Sequence, residues 1–336
     1  MKKGLFLLLL TTLALTGCGG ETEKVKAEYP ERSINAIVPF GAGGGTDVWG
    51  RAIMDGMATE LGVNIIVSNV TGGSAGSTGI SRVWNAPHDG YTLACTSETP
   101  LTIPVMTAIT QTSNDWIYFI AAGSPGVLMV NKNAEYTTMD EIMAQLKKEP
   151  QSISIAGTVG GLWFAQAKLF DTYGDMPFNW LPYDGSGAAL KGAVSQEADC
   201  VVASAGEAKD FMRSGDLIPL AVMELEAWHM PTVGNIPSVT EYLPQLAEYL
   251  PLNQFLGFKV PADTDPEIVA KLEEAFQATM DSYAIEIFAN EQLATIYNLT
   301  GEEAKKYATQ LESNLCWILS DMGTTTFSPD ERGISR

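Results

Sequence analysis

The sequence predicts an α/β protein of mostly parallel sheets flanked by helices and divided into two domains. Three observations carry this. Apolar runs of strand length alternate with amphipathic segments of helical period, the pattern of strands joined by helical crossovers. Several runs end in turns with almost no side chains, above all Pro39-Phe40-Gly41-Ala42-Gly43-Gly44-Gly45-Thr46-Asp47. And 336 residues exceed what one hydrophobic core organises comfortably.

The apolar run 34–38 is the first strand, and a helix opens at Thr46 beyond the glycine loop. Glycines let the backbone come close to a ligand, and the unpaired N–H groups of a first helical turn attract negative charge. The loop is therefore expected to bind an anion, which need not be a phosphate. A second unit repeats the plan. Strand 64–68 leads into Asn69-Val70-Thr71-Gly72-Gly73-Ser74-Ala75-Gly76-Ser77-Thr78-Gly79, then a helix reaching Trp84, and Pro87-His88-Asp89-Gly90-Tyr91-Thr92-Leu93 closes the block.

Further on, buried strands are expected at 152–156, 199–203, 217–223 and 254–260. Thr138-x-x-Glu141 and Thr300-x-x-Glu303 have capping-box form, and Asp265-Pro266 is an N-cap followed by proline at the first helical position. From there Ile268, Val269, Leu272, Ala275, Phe276 and Met280 trace one apolar face. Two irregular stretches, 120–126 and 250–253, are the expected crossings between domains.

At the N-terminus, Lys2 and Lys3 precede an apolar run at 5–15 and then Leu15-Thr16-Gly17-Cys18. This reads as an export signal, and the run is too short to be a durable membrane span. Leu-Thr-Gly-Cys resembles a bacterial lipobox, whose cysteine becomes the lipid-modified first residue. Residues 1–18 are then the signal and 19–28 a polar tether. No later segment of the sequence is apolar for long enough to span a bilayer. Removing Lys2 and Lys3 takes the formal net charge from −20 to −22. So acidic a chain is a poor nucleic-acid binder, having little to neutralise phosphates. Cys95, Cys200 and Cys316 lie far apart in apolar surroundings and read as buried thiols, with one disulfide as the alternative. Two histidines and no clustered cysteines give little basis for zinc.

Pro-Phe-x-Ala-Gly-Gly-x-x-Asp at 39–47, Asn-x-x-Gly-Gly at 69–73 and Asp-Gly-Tyr-Thr-Leu at 89–93, in this order, resemble the substrate-binding proteins of tripartite tricarboxylate transporters, the Bug family. The resemblance runs from Tyr29 to about Trp317. It implies a two-lobed type II periplasmic-binding-protein fold, with 29–125 plus 252–336 as lobe 1 and 126–251 as lobe 2. It also implies a small organic acid, a di- or tricarboxylate or related carboxylate, held between the lobes outside the carboxyl ends of the strands. No cofactor is needed. The partners would be the large and small membrane subunits of the transporter, with the receptor monomeric.

By the same resemblance, one ligand carboxylate meets N–H groups of Ala42, Gly43, Gly44, Thr46, Gly72, Gly73 and Ser74. Hydroxyls of Ser97, Thr158, Ser186 and Ser204 serve its distal end, and Phe40 and Tyr183 form walls. Tyr183, Gly185 and Gly187 stand in a Tyr-x-Gly-x-Gly-like segment. Asp47 either receives a ligand amine or, the favoured reading, stabilises its own loop at the helix start. Gly45 and Gly79 read as turn chemistry. The chain departs from the family in its longer loop at 72–79 and in having Glu226-Ala227-Trp228-His229 where an arginine often stands. Glu98 follows the strand at 91–96; facing the cleft, it would disfavour an acid end or welcome an ammonium.

Three other functions compete. Gly72-Gly73-Ser74-Ala75-Gly76 fits Gly-x-Ser-x-Gly, the elbow of a serine hydrolase with Ser74 as nucleophile and His88 or His229 as base. That elbow needs its serine directly after a strand, and here loop residues intervene. A dinucleotide site lacks its third glycine after Gly41-x-Gly43. A receptor that signals to a membrane kinase shares the fold, and no residue separates it from a transport receptor. The sequence is thus read as a non-enzymatic, lipid-anchored solute receptor.

Overall fold

A computed structural model describes residues 29–336. The expected signal, Cys18 and the tether at 19–28 lie outside the described residues. From strand β1 (Ile34–Val38) the glycine loop enters helix α1 (Gly45–Leu61), followed by β2 (Ile65–Asn69), α2 (Ser77–Trp84), β3 (Thr92–Ser97), the short α3 (Ile103–Met106) and β4 (Trp116–Ser124). Past Pro125 come β5 (Gly126–Asn131), α4 (Met139–Lys148), β6 (Ser154–Thr158), α5 (Leu162–Thr172), β7 (Asn179–Tyr183), α6 (Ser186–Val194), β8 (Cys200–Ser204), α7 (Ala205–Arg213) and β9 (Leu217–Val222). A ribbon of β10 (Trp228–Met230) and β11 (Gly234–Ile236) precedes β12 (Gln254–Pro261), α8 (Pro266–Met280), α9 (Tyr283–Glu291), β13 (Thr295–Leu299) and α10 (Gly301–Asp321).

Among the described residues these strands form two principal sheets, one per lobe, in the orders β13-β4-β12-β3-β1-β2 and β7-β6-β8-β5-β9. In the first, β1 runs parallel to β2 and β3, with Ile34 opposite Ile65 and Asn35 opposite Thr92. In the second, β6 runs parallel to β7 and β8. The sheets are nonetheless mixed, because β12 is antiparallel to β3 and β4, β13 to β4, and β5 to β8 and β9. The cause is the route of the chain. Strands β5 and β12 are entered from the other lobe rather than through a helical crossover in their own sheet, so nothing imposes the parallel direction.

Each sheet is covered on both faces, as its near-continuous apolar strands require. On one side of the first sheet, Trp49, Ile53, Met54 and Met57 of α1 pack with Leu272 and Phe276 of α8, above the stacked rings of Phe119 and Phe258, 4.3 Å apart. On the other, Leu311, Leu315 and Leu319 of α10 share a cluster with Trp163 and Phe170 of the second lobe, so apolar packing is continuous between lobes. Full burial of each such side chain contributes about 1.5–3 kcal/mol.

The helix starts show which local rules held. Thr138 and Glu141 form a reciprocal capping box, and the Asp265 carboxylate accepts from the N–H of Glu267. Thr300 is the N-cap residue of α10, but its hydroxyl donates to Glu273 at 2.6 Å instead of completing a box with Glu303. A tertiary partner displaced the local one. Cys95, Cys200 and Cys316 are free and buried.

Candidate functional site

The two lobes meet at the glycine loops. Gly187 stands over Gly43 and Gly44 so closely that a Cβ on it would lie 3.4 Å from backbone atoms of both. The Thr102 hydroxyl donates to the carbonyl of Gly160, and the N–H of Ala75 donates to the carbonyl of Val159 at 3.3 Å. Between these contacts lies a narrow cavity of about 20 Å³, room for little more than a water molecule with the lobes in this position. Phe40, Gly44, Gly45 and Thr46 line it from the first loop, Ser97, Glu98 and Thr99 from the end of β3, and Gln254 from the start of β12. The second lobe contributes Thr158, Trp163, Gly185, Ser186 and Glu207. A larger open depression beside the α1–α8 contact, of about 520 Å³, is lined by Tyr29, Glu60 and Lys271 among others and holds none of the expected site residues.

Two helices, α1 and α6, start at this cavity, one from each lobe. Neither has a side-chain cap, which leaves first-turn N–H groups to outside acceptors. One acceptor is already in place: Glu207 Oε1 takes the N–H of Gly45 at 2.5 Å, across the lobes. Its other oxygen accepts from the hydroxyl and N–H of Ser204 at 2.7 and 3.3 Å, completing the capping box of α7. Ser204 therefore positions Glu207 and does not line the cavity. A Cβ on Gly45 would stand 3.1 Å from Glu207 Oε1 and 3.2 Å from Gln254 Nε2, so both side chains would have to give way to it.

Ser186 accepts from the Trp163 indole at 3.0 Å and lies 3.4 Å from the Thr158 hydroxyl. Glu98 is fully buried; its carboxyl accepts from the Thr99 hydroxyl at 2.9 Å and from the N–H of Phe255 at 3.1 Å. Burial pushes its pKa up to about 8, with the neighbouring Glu207 charge adding to the rise. No Lys, Arg or His lines the cavity among the described residues.

Of the residues expected from sequence, Phe40, Gly44, Thr46, Ser97, Thr158, Gly185 and Ser186 come together here. Others stand apart. Ala42 and Gly43 are exposed, and the Gly43 N–H donates to Asp47 Oδ2 at 2.9 Å. Asp47 also takes Arg51 Nε at 3.0 Å and the Asn69 amide at 2.9 Å, tying the first loop to β2. Burial works against its charge, but these bonds outweigh it and hold its pKa below the usual carboxylate value. Gly72 and Gly73 adopt positive φ, +112° and +72°, in a turn that places Ser74 against Gly160. The Tyr183 hydroxyl points to Glu197 at 3.3 Å, and its ring packs over Gly192. Ser74 Oγ has no hydrogen-bond partner, while His88 is held by Asp263 and the Trp84 carbonyl and His229 by Asn235, so no base is set against that serine.

Sequence reasoning did not single out Glu207, Gln254, Trp163 or Thr99 as lining residues. Glu207 had a readable signal, since Ser204-Ala205-Gly206-Glu207 after a buried strand has capping-box form. Gln254 had only its place at the start of a strand.

Two sheets joined by crossing strands, with a cavity where helix N-termini from both lobes converge, define a two-lobed binding protein of the periplasmic type. The pattern that defines the tripartite tricarboxylate transporter family receptor, TctC, matches residues 50–322, and the chain belongs to that family. It is similar to Protein BugT of Bordetella pertussis, 28% identical over 270 residues that make up 78% of this chain and 80% of that protein. Its fold is similar to that of the periplasmic binding protein BugD, with a TM-score of 0.79 and 22% identity over 88% of this chain and 99% of the other. MatC from Rhodopseudomonas palustris, solved with bound malate, gives 0.77 and 22% over 88% and 100%. The family and these neighbours are binding proteins, not enzymes.

Proposed function

We propose that this receptor closes its lobes, 29–125 with 252–336 and 126–251, over one small organic acid and delivers it to the membrane subunits of a tripartite tricarboxylate transporter. The observation that carries the reading is the convergence of the α1 and α6 N-termini on one cavity, from opposite lobes. Each N-terminus presents about half a positive charge, and together with the hydroxyls of Thr46, Ser97 and Ser186 they offer a carboxylate several charge-assisted bonds. Residues of the first glycine loop, with Gly72, Gly73 and Ser74 shaping the neighbouring turn, hold that geometry. Malate bound to the structurally similar MatC supports the ligand class. Micromolar affinity needs about 8 kcal/mol, within reach of such a set in a desolvated cleft.

Cys18 is proposed as the lipid-modified residue that holds the receptor outside the cytoplasmic membrane. Cys18→Ser is then expected to move the protein from the membrane fraction to the soluble envelope fraction. A thermal-shift screen of organic acids, amino acids and nucleotides tests the binding reading. Stabilisation by acids is the expected result; stabilisation by nucleotides alone, or by nothing in the screen, overturns it.

A further inference from the structure

We propose that the acid accepted here carries an ammonium group, its carboxylate at the α1 and α6 N-termini and its ammonium against Glu98 and Glu207. This rests on the reading of the interlobe cavity as the ligand site. Three observations lead to it. The cavity's ionisable side chains are two carboxyl groups, Glu98 and Glu207, with no cationic side chain among the described lining residues. Gln254 is 3% exposed, and its side-chain oxygen is buried with no hydrogen-bond partner. Buried polar atoms are nearly always paired, so this orphaned acceptor on a residue that lines the cavity calls for a donor. Among the described lining residues, positive potential comes from the helix N-termini, and Glu207 already takes the first amide of α1.

A plain dicarboxylate meets this arrangement badly. One end is served by the N-termini, but the other stands beside the Glu207 carboxylate in a desolvated space, where like charge costs more than in water. An amino acid or other aminated acid matches both ends. Burial disfavours the Glu98 carboxylate, and an adjacent ammonium restores it by giving that charge a partner.

Calorimetric titration of the purified protein with matched acids differing only in an amino group tests this: glutarate against glutamate, succinate against aspartate, butyrate against 4-aminobutyrate. The aminated member of at least one pair is expected to bind about 10- to 100-fold tighter, the worth of a charge-assisted bond. Glu98→Gln and Glu207→Gln are each expected to erase most of that preference, read as the ratio of the two affinities within each pair. Plain acids binding as tightly as aminated ones overturn the proposal and leave the receptor reading standing. Binding by no acid of either kind overturns both. Should circular dichroism show that one variant does not fold, the other decides, and a preference unchanged in a folded variant assigns the ammonium elsewhere and sinks the proposal.

Discussion

Glu207 and Gly45 are joined across the cleft: the carboxylate of the second lobe accepts the first amide of α1 at 2.5 Å. The bond couples two local devices, the capping box of α7 and the uncapped start of α1. It shows that the glycine loop's helix accepts a carboxylate where the sequence predicts an anion. It also holds the lobes in register, since Gly187 lies against Gly43 and Gly44 beside it.

Gly45→Val tests this contact. Its φ is ordinary, so valine fits the helix start, but the side chain must displace Glu207 and Gln254 from 3.1 and 3.2 Å. The expected result is unchanged helical content, a larger radius of gyration by X-ray scattering, and organic-acid affinity lower by at least about tenfold, the effect of losing one charged hydrogen bond. Scattering and affinity both equal to wild type would show that the contact does not hold the lobes together.

Asp47 is the anchor of the first loop rather than part of its cavity. Asp47→Ala leaves the Gly43 N–H, Arg51 and Asn69 without their common acceptor. A loss of about 2–4 kcal/mol in urea unfolding is expected, as for other broken buried networks. Because the folded pKa of Asp47 lies below its unfolded value of 3.8, its contribution is present above that value and fades as pH falls through the folded one. Asp47→Asn is therefore expected to show less acid sensitivity between pH 5 and pH 3 than wild type. Equal acid sensitivity in the two proteins would place the charge elsewhere.

Much of this site was legible because it is local. Gly44 and Thr46 lie in the strand–loop–helix run at 34–47, which the residues themselves mark, while the family resemblance pointed to Phe40 as a wall and to Gly185 and Ser186 after β7. What escaped depends on how two lobes face one another. The capping box at Ser204 and Glu207 could be read, but not that the carboxylate reaches Gly45, 162 positions away in sequence. Gly72, Gly73 and Ser74 look like a second binding loop, yet their positive-φ turn sets Ser74 against Gly160 instead. The α/β class came from periodicity and the two-lobed plan from the family resemblance; the antiparallel strands escaped both, because β5 and β12 are fed from the other lobe and β13 follows the direction of β12 through α8 and α9.

Glu98 gives the fold a pH dependence of definite sign. Its pKa is about 8 when folded and 4.5 in the reference state, so between these values the folded protein keeps a proton the unfolded chain has lost. Stability is therefore expected to fall as pH rises through this window, by at most about 1.4 kcal/mol per pH unit for one proton. Glu312, raised to about 7 by burial, adds to the fall over a shorter span. Glu98→Gln imitates the neutral acid, with its oxygen toward the N–H of Phe255 and its NH₂ toward Thr99. Urea unfolding at pH 5, 6.5 and 8 should show a shallower decline in this variant. A decline as steep as wild type would mean that Glu98 is ionised in the free protein.

Lys259 carries the opposite dependence and allows the last test. Its side chain is 2% exposed, with Nζ 4.2 Å from the ring centre of Trp116 and 5.3 Å from that of Tyr118. The Glu312 charge favours the ammonium, but burial dominates and lowers the pKa to about 7. Between 7 and 10.5 the unfolded chain binds a proton that the folded one does not, so stability attributable to Lys259 rises with pH across that window. Cation–π contact, about 2 kcal/mol when desolvated, offsets only part of the cost of burying an ammonium. Methionine has a similar volume and no charge. Lys259→Met is thus expected to raise the unfolding free energy by about 1–4 kcal/mol at pH 6 and by less at pH 9. A variant less stable than wild type at pH 6 would show instead that Trp116, Tyr118 and Glu312 together stabilise the buried charge.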